Sequence, residues 1–223
     1  TRDLVELILN DSVKIQEYEM KAGTRSEFFY GSEDVNRTLE LIQVIDFNQV
    51  MKLKDCTVEF YRAGHILGAA SILISHNNRK ICFSGDLGRR DDLLHKEPVL
   101  PEDFDYLVLE STYGDRCHSK ESSYKELIHG IQKVKERGGV LLIPAFAVAR
   151  TQVIIQMLSD LFERSDDLHL PVFVDSPMAV RATHIYKKYI DDLRPDPADF
   201  KMALNKVKLI EFGNDKKKML KQR

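Results

Sequence analysis

No run of eighteen or more apolar residues occurs in this chain, which excludes a membrane-spanning helix of ordinary length. The first residues carry no charged-then-apolar segment of secretory type. Cysteine is scarce: Cys56, Cys82 and Cys117 make an odd count without a C-x-x-C pair. That argues against a disulfide framework and for a reducing, cytoplasmic setting. A basic excess is missing as well. Lys and Arg total 33 against 35 Asp and Glu, a net charge of −2, a mild argument against a nucleic-acid partner, since such partners favour a basic surface. A cleft that holds metal ions can still be positive locally. Repeats and low-complexity segments are absent. What remains is 223 residues, 43% hydrophobic and 30% charged, a globular composition long enough for one large domain or parts of two.

The patterning changes along the chain. Residues 2–20 read as a helix with Leu4, Ile8, Ile15 and Tyr18 on one face. Ser32 serves as N-cap of a second helix carrying Val35, Leu39 and Ile42. Val58 and Phe60 then alternate with charged residues, predicting a strand that runs into Gly64-His65. Residues 71–75 and 80–84 flank His76-Asn77-Asn78-Arg79 and predict a β-hairpin, because Asn tolerates the left-handed backbone of such turns. Tyr106–Glu110 reads as a short buried strand. Beyond Gly114 the grammar is α/β: a helix near 122–137 closed by Gly138-Gly139, a strand at 140–143, a helix over 148–163, a strand at 172–174 and a helix near 178–190. Strands alternating with helices imply a parallel sheet.

The chemistry-bearing residues stand in three glycine-containing blocks. They are Ala63-Gly64-His65-Ile66-Leu67-Gly68, Phe83-Ser84-Gly85-Asp86-Leu87-Gly88 and Leu109-Glu110-Ser111-Thr112-Tyr113-Gly114. Each places one metal-ligand-type side chain where an apolar run meets a turn. Glycine permits the close backbone approach that a tight metal cage needs. Taken singly, each has an ordinary reading: a surface His, a Gly-Asp turn, a turn or capping carboxylate. Arg150 and Thr151 stand in the first turn of the helix over 148–163, and Asp175-Ser176 caps another. Helix starts expose free N–H groups that suit phosphate, with plain capping as the alternative. Arg116 and His118 are weaker candidates. His76, His95, His129 and His169 read as turn or helix-surface residues. The lysine-rich stretch 214–223 reads as a solvated end.

Together with Asp11–Gln16, Pro144–Arg150 and Asp175–Ala179, these blocks resemble the metallo-β-lactamase superfamily, in particular its β-CASP branch of RNA- and DNA-processing nucleases. The resemblance runs from the first residue to at least residue 190. It implies an α/β fold: part of an αββα sandwich over residues 1–113, then the start of a parallel α/β β-CASP domain over 114–223. It implies that His65 and Asp86 are ligands in a two-zinc centre, with Asp86 bridging both ions. Glu110 would be an acidic catalytic residue that orients a later His. Arg150, Thr151 and Ser176 would contact substrate. Paired metal ions activate water and stabilise the leaving oxygen of a phosphodiester. RNA is the implied polymer, with DNA as its alternative, and a homodimer is compatible with the resemblance.

One expected element is missing. The family's His-x-His-x-Asp-His box supplies most zinc ligands, and His65, His76, His95, His118, His129, His169 and His184 form no such box. The resemblance puts that box before residue 1 and further His motifs after residue 223, so the chain is expected to be a central fragment. Zinc normally takes at least three protein ligands, so the isolated chain is expected to hold it weakly or not at all and to be inactive. Two other functions compete. One is hydrolysis of a small ester or thioester, disfavoured by the α/β segment after Glu110. The other is a non-catalytic nucleic-acid-binding scaffold, disfavoured by the presence of His65, Asp86 and Glu110.

Overall fold

The computed structural model describes residues 1–115 and 123–210. Two helices open the chain, α1 (Arg2–Lys21) and α2 (Ser32–Leu41). The single apolar face expected for α1 does not form. Leu4, Leu7, Val13 and Gln16 are buried, whereas Ile8, Ile15 and Tyr18 are exposed. The helix is gripped on two sides. Asp3 accepts hydrogen bonds from Lys188 and Tyr189 at its start, and Gln16 accepts from the Phe29 amide near its end. One periodic stripe cannot describe that. α2 is capped one residue earlier than predicted: the Gly31 amide donates to Asp34, leaving Ser32 as the first helical residue.

Five strands follow: β1 (Val50–Lys52), β2 (Thr57–Arg62), β3 (Ala70–His76), β4 (Arg79–Phe83) and β5 (Tyr106–Val108). They form one sheet in the order β1-β2-β3-β4-β5. The first four are antiparallel, and β5 runs parallel to β4. The β3–β4 hairpin turns on Asn77 and Asn78, with φ of 46° and 58°, the pair of positive values a type I′ turn demands. Register aligns Val58, Ile74, Ile81 and Tyr106, then Phe60, Ile72, Phe83 and Val108. One face of the sheet is therefore apolar. β5 is not the buried strand expected over 106–110. It lies at the sheet edge with Tyr106, Leu107 and Val108 exposed, since no further strand pairs with it among the described residues.

The remainder holds α3 (Ser123–Arg137), α4 (Arg150–Arg164), β6 (Val172–Val174), α5 (Pro177–Lys188), α6 (Pro197–Asn205) and β7 (Val207–Leu209). β6 and β7 pair in parallel, so the α/β class read from the sequence holds. The strand expected at 140–143 does not form. The segment has no strand partner among the described residues, and Val140 and Leu142 are exposed. The sheets fall on either side of residue 114, yet one apolar cluster joins Leu4, Leu67 and Leu94 to Ile155, Val180, Tyr186 and Phe200.

α4 starts at Arg150 rather than Val148 because the chain reverses at Ala149. Its φ of 68° and ψ of −60° and the Arg150 amide donating to the Val148 carbonyl at 2.9 Å define a strained γ-turn. Such backbone strain costs about 1–3 kcal/mol. Glycine would relieve it, at about 0.4–1 kcal/mol of unfolded-state entropy and ~0.8 kcal/mol for the lost methyl. Ala149→Gly should thus fall between a loss of about 0.8 kcal/mol and a gain of about 1.8 kcal/mol in a urea melt, whereas Ala149→Val should destabilise.

Candidate active site

The topology brings the three blocks together. β2 and β4 each run antiparallel to β3, and β5 runs parallel to β4. The carboxyl ends of β2, β4 and β5 therefore share one edge of the sheet. The loops 63–69, 84–88 and 109–112 emerge there, carrying His65, Asp86 and Glu110.

The loops are joined by backbone. Gly64 and Leu87 form an antiparallel bridge, and the Gly88 amide donates to the Ala63 carbonyl at 2.8 Å. In that register the next opposed pair is His65 and Asp86, which are both exposed. Glycine is required at the crossing. A Cβ on Gly88 would collide with the Gly64 carbonyl, and Gly85, at φ 56°, passes so near Ala70 that a Cβ would sit 2.8 Å from its carbonyl oxygen.

Glu110 completes the edge. Its amide donates to the Ser84 hydroxyl at 2.9 Å. Its carboxylate accepts from the Leu87 amide and from the Thr112 hydroxyl, each at 2.7 Å. The Leu87 amide, then the Thr112 hydroxyl, hold this carboxyl below its ordinary pKa against the opposing effect of burial, and His65 is near enough to add a smaller effect of the same sign. A depressed carboxyl contributes stability that is fully present above the ordinary value of 4.5 and is lost as pH falls through the depressed one. The Leu87 amide should accordingly lose hydrogen-exchange protection, corrected for intrinsic rate, as the pH is lowered below about 4.5.

His65 and Asp86 offer the imidazole nitrogen and carboxylate oxygen that zinc accepts, so the donor chemistry fits the metal the resemblance implies. Among the described residues, no three His, Cys, Asp or Glu side chains are grouped as a metal site. Glu110 is committed to Leu87 and Thr112. Arg116, Cys117, His118 and the lysine-rich stretch 214–223 lie outside the described residues.

The other predicted residues sit at two neighbouring helix starts. Arg150 is exposed at the first turn of α4. The Thr151 hydroxyl donates to the Phe146 carbonyl at 2.8 Å. Its proton is engaged within the turn that precedes α4. Ser176 caps α5 by accepting from the Ala179 amide at 3.2 Å. Gln152 joins the two helices, donating to the Thr183 hydroxyl at 2.8 Å. Ile66, Ala147 and Val148 pack on the same apolar cluster, so the His65 loop and the entry into α4 rest on one support.

His95 was expected at the surface and is instead almost fully buried, hydrogen-bonded to Asp92 and Tyr186. The sequence carries no periodic signal for it: the Asp92-to-His95 spacing sits in an irregular segment, and Tyr186 is 91 residues away.

A Beta-Casp domain matches residues 151–223. The chain is 35% identical to a "Probable RNase MJ4" of Methanocaldococcus jannaschii over 99% of its own length and 50% of that protein. It is 32% identical to a ribonuclease of Thermus thermophilus, covering 84% of this chain and 41% of the relative. It is 30% identical to cleavage and polyadenylation specificity factor subunit 3-I of Arabidopsis thaliana, covering 85% of this chain and 27% of the relative. The chain thus spans half or less of each of these proteins.

Proposed function

Because this chain belongs to the β-CASP nuclease branch of the metallo-β-lactamase superfamily, we propose that it forms part of a metal-dependent ribonuclease. The reaction is hydrolysis of RNA phosphodiesters, and zinc is the metal whose donors fit. The observation that carries this reading is the bridge between Gly64 and Leu87, which sets His65 against Asp86 at one sheet edge. The names of the relatives support RNA as the polymer.

His65 and Asp86 would hold the metal, which when bound supplies Lewis-acid stabilisation of phosphodiester oxygens and an activated water. Asp86 bears the charge that two cations at this edge would need. Arg150 and the free end of the Ser176 hydroxyl, at adjoining helix starts, would orient the polymer's phosphates. Glu110 acts on the edge through Leu87, the neighbour of Asp86, and so fixes the loop that presents that carboxylate.

Glu110 also provides the test. In the intact protein, Glu110→Ala should slow RNA cleavage about 10²–10⁴-fold, the range for lost acid–base assistance, with zinc content largely unchanged. Glu110→Gln keeps an oxygen for the Leu87 amide and should recover much of the loss if positioning dominates. Cleavage of a labelled RNA by Glu110→Ala at the wild-type rate would refute this role.

A further inference from the structure

Leu67 lies two residues beyond His65, and its amide donates to the Tyr186 hydroxyl at 3.3 Å. That hydroxyl stands 2.9 Å from His95 Nε2, and His95 Nδ1 stands 3.0 Å from Asp92 Oδ1. Asp92 Oδ1 also accepts the Leu94 and His95 amides, at 2.8 and 2.6 Å. The donors fix the tautomer. The Asp92 carboxylate can only accept, so Nδ1–H donates to it, and the neutral ring then offers its Nε2 lone pair to the Tyr186 proton while the Tyr186 oxygen accepts from Leu67. Every member of the chain is satisfied. Tyr186 is fully buried and His95 nearly so, where a satisfied polar network is rigid and a broken one costly.

The anchoring continues at both ends. The segment holding Asp92 is clamped to the chain that follows α5: Arg194 Nη1 donates to the Arg90 and Asp92 carbonyls at 2.7 and 3.0 Å, and the Arg194 amide donates to the Leu94 carbonyl. At the other end, the Thr1 hydroxyl donates to the Gly68 carbonyl at 2.7 Å. Loop 63–69 is therefore held at Ala63 by Gly88, at Gly64 by Leu87, at Leu67 by Tyr186 and at Gly68 by Thr1. Of these, Tyr186 alone comes from the β-CASP side of the chain.

We propose that Asp92, His95 and Tyr186 are positioning residues, a buried relay that fixes the backbone at Leu67 and so sets how His65 approaches Asp86. This rests on the metal-edge reading above. None of the three touches substrate or metal. Their effect passes through the loop, in the way outer groups orient the ligands of metal sites, where their loss costs 10–100-fold in affinity or activity.

The test uses the intact protein with Tyr186→Phe, which keeps the ring and removes the hydroxyl. Leu67 amide exchange should accelerate at least tenfold. Zinc affinity, measured by competition with a chromophoric chelator, should fall roughly 10–100-fold, and kcat on RNA should fall similarly with KM within about twofold. A pair at His95 guards against a misfolded variant. His95→Gln can still accept the Tyr186 proton and should restore zinc affinity and kcat towards wild type, whereas His95→Leu should not. The proposal is overturned if folded Tyr186→Phe keeps wild-type zinc affinity and kcat, or if His95→Gln behaves no better than His95→Leu. Should the wild-type protein bind zinc but cleave no RNA, the ribonuclease reading fails, and the zinc and exchange measurements still decide the relay.

Discussion

Asp86→Ala should lower RNA cleavage by the intact protein about 10³-fold while leaving the fold intact. Charge stabilisation at a metal-assisted phosphodiester is worth several kcal/mol, and each 1.36 kcal/mol is tenfold in rate. Asp86 is exposed and has no hydrogen bond among the described residues, so its removal should change stability by no more than about 0.5 kcal/mol. Its function and its structure are separable to a degree that Glu110, with two partners on its carboxylate, does not allow. Zinc content and turnover should fall together. Wild-type turnover in Asp86→Ala would remove Asp86 from the site.

Gly88→Ala should show the opposite profile, damaging the fold and the site at once. The new methyl would occupy the space of the Gly64 carbonyl and press on the His65 amide. Both are backbone, so no side chain can swing aside. Overpacking costs about 1–3 kcal/mol, and the Gly88-to-Ala63 hydrogen bond, worth ~1 kcal/mol, must break for the loops to part. A loss of roughly 2–4 kcal/mol is expected in denaturant melts on these grounds. Gly31→Ala is the control, because a Cβ there meets nothing within 4 Å. A Gly88→Ala protein as stable as that control would mean that the two loops do not cross as described.

Much of this arrangement was legible in the residues. The Asn-Asn hairpin, the turn at Gly64 and the cap at Ser176 are local, and local chemistry determines them. His65, Asp86 and Glu110 could be singled out because glycine and strand-like runs surround each. Their convergence follows from strand direction, which the hairpin between 76 and 79 already implied. What the sequence hid is non-local. Whether Val140–Ile143 forms a strand depends on a partner strand, not on its own apolar run. The buried residues of α1 depend on which neighbours grip it. His95 looks like any polar loop residue until Tyr186, from another element, is folded against it. The engagement of Thr151 with Phe146 was hidden too, because it depends on the reversal at Ala149, a backbone conformation that alanine does not advertise.

During synthesis these distances become waiting times. The hairpin can close as soon as residues 70–83 have left the ribosome, since its partners are adjacent. Leu67 must wait for Tyr186, 119 residues later in the chain. At about 5–20 residues per second, that is a delay of roughly 6–24 s. Throughout it the His65 loop lacks its anchor at Leu67 while the strands beside it are already paired. The edge that carries His65 and Asp86 is therefore completed only after residue 186 has emerged.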